Sequence, residues 1–98
     1  LYIDKQNFEQ IKQEIEQLEF SKKAYIRVAE NDRKTIDKFN EQLRVGNVDY
    51  IIAHRDTYDF AVKSEQENKK RASKISEEIK EKENVLSKYR IIDENLLE

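Results

Sequence analysis

His54 is the only histidine of the chain, and with Asp56, Tyr58 and Asp59 it makes the one short stretch where acid–base chemistry could be sought. The surrounding requirements are not met. A zinc site takes three or four nitrogen or sulfur ligands, and no cysteine is present to help. A di-iron bundle would show Glu-x-x-His pairs, and none occurs. A phosphate loop needs several glycines, whereas Gly46 is the only one. His54 therefore reads as a packing residue, and Asp56 and Asp59 as a solvated helix face. No catalytic, metal-binding or cofactor-binding residue is expected, and neither is an enzymatic activity or a small-molecule substrate.

Charge gives the next candidate chemistry. Lys69-Lys70-Arg71 is the strongest basic run and Lys22-Lys23 a weaker one. Three adjacent cations spread around a helix instead of lining a groove, and Glu65, Glu67, Glu77 and Glu78 dilute the field nearby. The chain has 19 basic and 21 acidic residues, for a net charge of −2. That balance lacks the footprint of a phosphate-gripping protein, so no direct nucleic-acid contact is expected. A membrane-surface helix would carry a basic polar face, and here the polar face is mixed. Absence of cysteine suits a reducing compartment, so an intracellular setting is expected.

The residues that remain are those that build rods. Proline is absent, and 41% of residues are Asp, Glu, Lys or Arg. Only 37% are apolar, too few for a compact globule of 98 residues but enough for narrow stripes along helices. Positions 8, 11, 15, 18, 22, 25, 29, 32, 36, 39 and 43 step by three and four alternately. Nine of these eleven are apolar or aromatic, from Phe8 to Leu43, with Lys22 and Asp32 as exceptions. A mean step of 3.5 residues is the heptad signature of one helix lying along another. A second seam runs from Ile51 through His54, Tyr58, Ala61, Glu65, Asn68, Ala72, Ile75, Ile79, Lys82, Leu86, Tyr89 and Asp93 to Leu96, and nine of its fourteen positions are apolar. Sustained periodicity argues against disorder.

Between the seams lies Arg44-Val45-Gly46-Asn47-Val48. Gly46 can close a helix in the left-handed conformation, and Asn47 or Asp49 can cap the next one. The expected fold is all-α: an antiparallel two-helix coiled-coil hairpin forming a single domain over residues 1–98. Its helices should cover about residues 4–44 and 49–97, joined by a turn at about 45–48, and reach roughly 60 and 75 Å. Folding back at Gly46 would set Phe39 near Ile51, Tyr25 near Glu65, and Phe8 toward Val85 or Leu86. Lys22 would then fall close to Glu65 and Asn68, and a Lys22–Glu65 pair could fix the register.

More apolar side chains are present than one such seam can hide. Phe20, Ile26 and Val28 lie off the first seam. Ile52, Phe60 and Val62 lie off the second, as do Val85, Ile91, Ile92 and Leu97 near the end. Burying a large apolar side chain is worth about 1.5–3 kcal/mol. Phe20, Ile26, Val28, Ile52, Phe60, Val62, Val85, Ile91 and Leu97 are accordingly the candidate partner-binding residues, a second face for helices of another chain within a larger helical assembly.

The stretch Phe8 to Phe39, with Leu18-Glu19-Phe20-Ser21 at its middle and Val28 downstream, resembles the subunit 7 family of the THO complex. Arg55-Asp56-Thr57-Tyr58-Asp59-Phe60-Ala61 is similar to that family's Arg-x-x-Tyr-Asp segment, and Leu86, Arg90 and Leu96-Leu97 recur at spacings similar to its final helix. The resemblance implies a nuclear, non-enzymatic subunit of an assembly that couples transcription to messenger RNA packaging and export. Its partner would be a coiled-coil protein similar to subunit 5 of that complex, and RNA contact would be indirect. A stalk of the flagellar, type III export kind, a homodimeric spacer or adaptor, and a nucleic-acid-binding helical module are the other readings of a small charged hairpin.

Overall fold

A computed structural model describes residues 2–91. In chain order it contains β1 (Tyr2–Ile3), α1 (Lys5–Arg44), α2 (Val48–Lys88) and β2 (Arg90–Ile91). The two helices lie side by side in a rod 78 Å long, so the chain is an all-helical hairpin apart from its short strands.

Each helix end follows from local chemistry. Asp4 caps α1, its carboxylate accepting from the Asn7 backbone N–H at 2.8 Å and from the Asn7 side-chain amide at 2.8 Å. At the other end Gly46 adopts φ +72°, the left-handed conformation that suits glycine. The Gly46 N–H donates to the Leu43 carbonyl and the Asn47 N–H to the Gln42 carbonyl, which is the Schellman closure of a helix. Asn47 then serves both elements. Its side-chain oxygen accepts from the Tyr50 N–H at 3.2 Å, capping α2, while its amide donates to the Gln42 side chain at 2.8 Å.

The far end of α2 differs from the reading of a helix running to about residue 97. The helix stops at Lys88, and Tyr89 is already extended. Tyr89, Ile91 and Ile92 are aromatic or β-branched, residue types that favour strands over helix. The hairpin brings Tyr2 and Ile3 close enough to exploit this, and they pair in parallel with Arg90 and Ile91. Periodicity alone could not show the break, because Tyr89, Asp93 and Leu96 keep the heptad step. Asp93 and Leu96 lie outside the described residues.

Packing follows the seams closely. Every described seam position is buried or half-buried except Leu43, in the last turn of α1. The most buried are Ala29, Ile36 and Phe39 on α1, and Ala61, Glu65, Asn68, Ala72, Ile75 and Ile79 on α2. The register, however, is about one heptad away from the simple fold-back. Phe39 stacks on Tyr58 with ring centroids 4.3 Å apart, not on Ile51. Arg71, not Glu65, lies over the Tyr25 ring at 5.7 Å, and Lys82 reaches Glu14 at 2.7 Å. Part of the shift comes from the lean of helical side chains toward their own N-terminus. In an antiparallel pair the two sets lean oppositely, so partners lie later in both helices than backbone height suggests. The remainder reflects the Schellman turn, which carries the chain past Arg44 before α2 starts.

The turn is testable through Gly46, where a Cβ would meet nothing within 4 Å. Only the backbone conformation opposes a side chain there. Gly46→Ala should therefore lower unfolding free energy by about 1–2 kcal/mol, the cost of left-handed backbone for an L-residue. Gly46→Asn should cost less. Urea unfolding followed by far-UV circular dichroism checks both, and equal stability of all three forms would contradict the turn.

Candidate functional site

The heptad assigns each outlying apolar residue a direction. On α1, Phe20 lies opposite the seam, with Ile26 and Val28 on opposite flanks. On α2, Ile52 and Val62 lie on the Ile26 side, whereas Phe60 and Val85 lie on the Val28 side. Exposure agrees with this geometry. Phe20 is 78% exposed, Ile52 74% and Phe60 71%, while Val28, Ile26 and Val85 keep about 40%. Val62 is half-buried. The Ile91 side chain and Leu97 lie outside the described residues. The expected second face is thus resolved into two flanks and an isolated Phe20 on the back of α1. The single-face picture failed because residues six to ten apart were grouped by sequence proximity rather than by angle.

The Ile26 flank carries the most structure. Ala29 and Ala72 occupy seam positions but are too short to fill the space between the helices. The result is an open trough of about 670 Å³ floored by Ile26, Ala29 and Ala72 and edged by Glu30, Arg33, Lys34, Glu65, Lys69 and Ser73. On the opposite flank a smaller hollow of about 250 Å³ runs past Thr35, Lys38, Phe39, Tyr50, His54, Thr57 and Tyr58.

Polar groups in the seam set the electrostatics. Glu65, only 6% exposed, is gripped by Arg33 through two bonds, Nε to Oε2 at 2.7 Å and Nη2 to Oε1 at 2.6 Å. Lys69 Nζ stands 3.8 Å away. Lys22 is half-buried and has no ion pair among the described residues, so the expected Lys22–Glu65 pair is replaced by Arg33–Glu65. The shifted register is the cause, since it carries Glu65 up α1 toward the turn, and the planar guanidinium matches a carboxylate in two-pronged fashion. Hydrogen bonding to Arg33 holds the Glu65 carboxyl below its ordinary value despite burial, with the Arg33 and Lys69 charges adding to the effect. Lys82 lowers Glu14 in the same way, first by hydrogen bonding and then by charge. Asn68 satisfies its amide on the Ser64 carbonyl at 2.8 Å. Asp32 Oδ2 is buried with no hydrogen-bond partner among the described residues.

His54 sits where the seam places it. Its Nδ1 lies 2.9 Å from the Tyr50 carbonyl oxygen, and its ring stacks on Tyr50 at 3.9 Å. Both contacts are made to Tyr50, one turn earlier on the same helix. Asp56 and Asp59 are exposed. Among the described residues no group of three or more His, Cys, Asp or Glu is placed to hold a metal, and no helix is long and apolar enough to cross a membrane. The surface offers binding chemistry, in two forms: outward apolar side chains, and a trough with a charged edge. Sequence reasoning missed the trough and the Arg33 clamp. The two seam alanines and the arginine on the seam's edge were the available signals. No protein-family model, curated protein or solved structure matches the chain.

Because the Glu65 carboxyl is lowered, its stabilising contribution is present above the ordinary glutamate range and disappears as pH falls through the depressed value. The melting temperature should therefore fall as pH drops below the ordinary glutamate value of 4.5, and Glu65→Gln should be less stable than wild type above that value, with the difference shrinking as pH falls below it. A thermal melt series at graded pH reads this directly. A Gln variant with an undiminished acid-limb slope would remove Glu65 from the account.

Proposed function

We propose that this chain is a non-enzymatic, protein-binding helical hairpin that serves as a subunit of a larger assembly. The observation that carries the reading is the outward display of Phe20, Ile52 and Phe60, each more than 70% exposed, on a hairpin whose seam residues are already turned inward. Each such side chain gains about 1.5–3 kcal/mol when covered. The hairpin has reason to use that gain. No large side chain among the described residues is fully enclosed, because two helices leave one side of every core residue near water.

The resemblance to the subunit 7 family of the THO complex supplies the most specific form of this proposal. In that form the hairpin is a nuclear subunit beside a coiled-coil partner similar to subunit 5, within an assembly for messenger RNA packaging and export. Its support is the run Phe8 to Phe39 and the segment Arg55 to Ala61. Within the second, Tyr58 turns inward onto Phe39 while Phe60 turns outward, so one segment serves both the hairpin and its surface.

The test is affinity capture from the native source with mass spectrometry, comparing wild type with Phe20→Asp and Phe60→Asp. Wild type should retain a helical partner protein that at least one variant loses by about tenfold or more, matching the loss of a well-buried aromatic anchor. Both isolated variants should keep the wild-type far-UV circular dichroism. Loss of helicity in isolated Phe20→Asp would place Phe20 in the internal core and overturn the reading. A wild type that is a stable homodimer with no other partner would replace it with a self-associating spacer.

A further inference from the structure

The register has a consequence for charge. Residues 22–34 hold five basic and two acidic residues, and residues 63–75 hold five basic and two acidic residues. Neither segment is notable alone in so charged a chain. The hairpin lays one against the other, as the Arg33–Glu65 clamp and the Arg71–Tyr25 contact show. The middle of the rod thus becomes a band of ten basic and four acidic residues, net +6, in a chain whose total is −2. The remaining residues carry nine basic and seventeen acidic groups, net −8. The trough at Ile26, Ala29 and Ala72 lies inside this band.

We propose that the trough binds an acidic, amphipathic helical segment of another protein, its apolar side chains seated on Ile26, Ala29 and Ala72 and its carboxylates facing Arg33, Lys34 and Lys69. This rests on the protein-binding reading above and specifies one partner surface for it. Charge complementarity selects the occupant. Glu65 on the trough edge is already engaged by Arg33, while Arg33 and Lys69 keep 48% and 65% of their side chains open. The aliphatic stem of Lys69 can extend the apolar floor while its ammonium stays in water, and the Arg33 guanidinium keeps an open side beyond its contacts with Glu65 and Asp37. The trough edge itself carries Arg33, Lys34 and Lys69 against Glu30 and Glu65, and the net +6 of the band is distributed around the rod, part of it within a Debye length of about 8–10 Å of the trough.

Two other occupants fit less well. For a nucleic acid, no aromatic ring lines the trough for a base to stack on. A second copy could offer Phe20, flanked by Glu16 and Glu19. Phe20 lies two residues from the start of the basic band, however, so seating it there would bring two like-charged bands alongside.

The probe is a fluorescent peptide of about 21 residues with leucine at heptad core positions and glutamate elsewhere, set against a twin with lysine for glutamate. Anisotropy with the full chain should show binding of the acidic peptide, at least about tenfold weaker binding of the basic twin, and weakening between about 50 and 500 mM salt. K34E combined with K69E, and separately I26D, should each weaken binding about tenfold or more. K12E combined with K80E, outside the band, should leave it within about twofold. Circular dichroism confirms that each variant folds. Equal binding of the two peptides, or indifference to K34E/K69E, overturns the proposal. So does tighter binding of single-stranded RNA or duplex DNA, and so does a homodimer, seen by sedimentation, that the trough variants dissociate. A native partner lost with Phe20→Asp yet kept by the trough variants would sink this inference while leaving the broader function standing.

Discussion

The registration of α1 against α2 is the constraint on which the other features depend. Two contacts of different kinds hold it. Phe39 and Tyr58 stack at 4.3 Å near the turn, and Arg33 clamps Glu65 with two short bonds two turns farther down. An apolar seam alone specifies register weakly, because sliding by one heptad places apolar residues against apolar residues again. A buried carboxylate does not slide so freely. Moved by one heptad, Glu65 would lose its guanidinium and remain desolvated, a state much costlier than a misplaced leucine. The polar middle of the seam therefore trades packing for alignment.

That trade shapes the surface. With Ala29 and Ala72 in seam positions, the helices cannot fill the space between them, and a trough opens beside Ile26. The same alignment superimposes two modest basic segments into one band. At the seam's ends the composition changes, with Ile36 and Phe39 packed on one side and Ile75 and Ile79 on the other. Apolar residues thus anchor both ends of the seam, and its centre is polar and loosely filled.

Much of this architecture was legible in the residues themselves. The 3–4 spacing located both seams, since burial along a helix must repeat with its turn. Gly46 and Asn47 announced the joint because few residues accept left-handed backbone or cap a helix so well. Three features were not legible. The register depends on side-chain lean and turn geometry, neither of which a periodicity encodes. The end of α2 depends on β1, a pairing between residues almost ninety positions apart. Which flank of α1 meets which flank of α2, Ile26 with Val62 and Val28 with Phe60, needed the two helices laid together, and only then did the trough become visible.

The most direct measurement is the set of nuclear Overhauser contacts made by the Phe39 ring in the isotope-labelled full chain. The described register requires strong cross-peaks from Phe39 to the Tyr58 ring within one molecule. Cross-peaks from Phe39 to Ile51, or Phe39–Tyr58 contacts found only between differently labelled molecules, would contradict the hairpin alignment, and the basic band and trough would go with it.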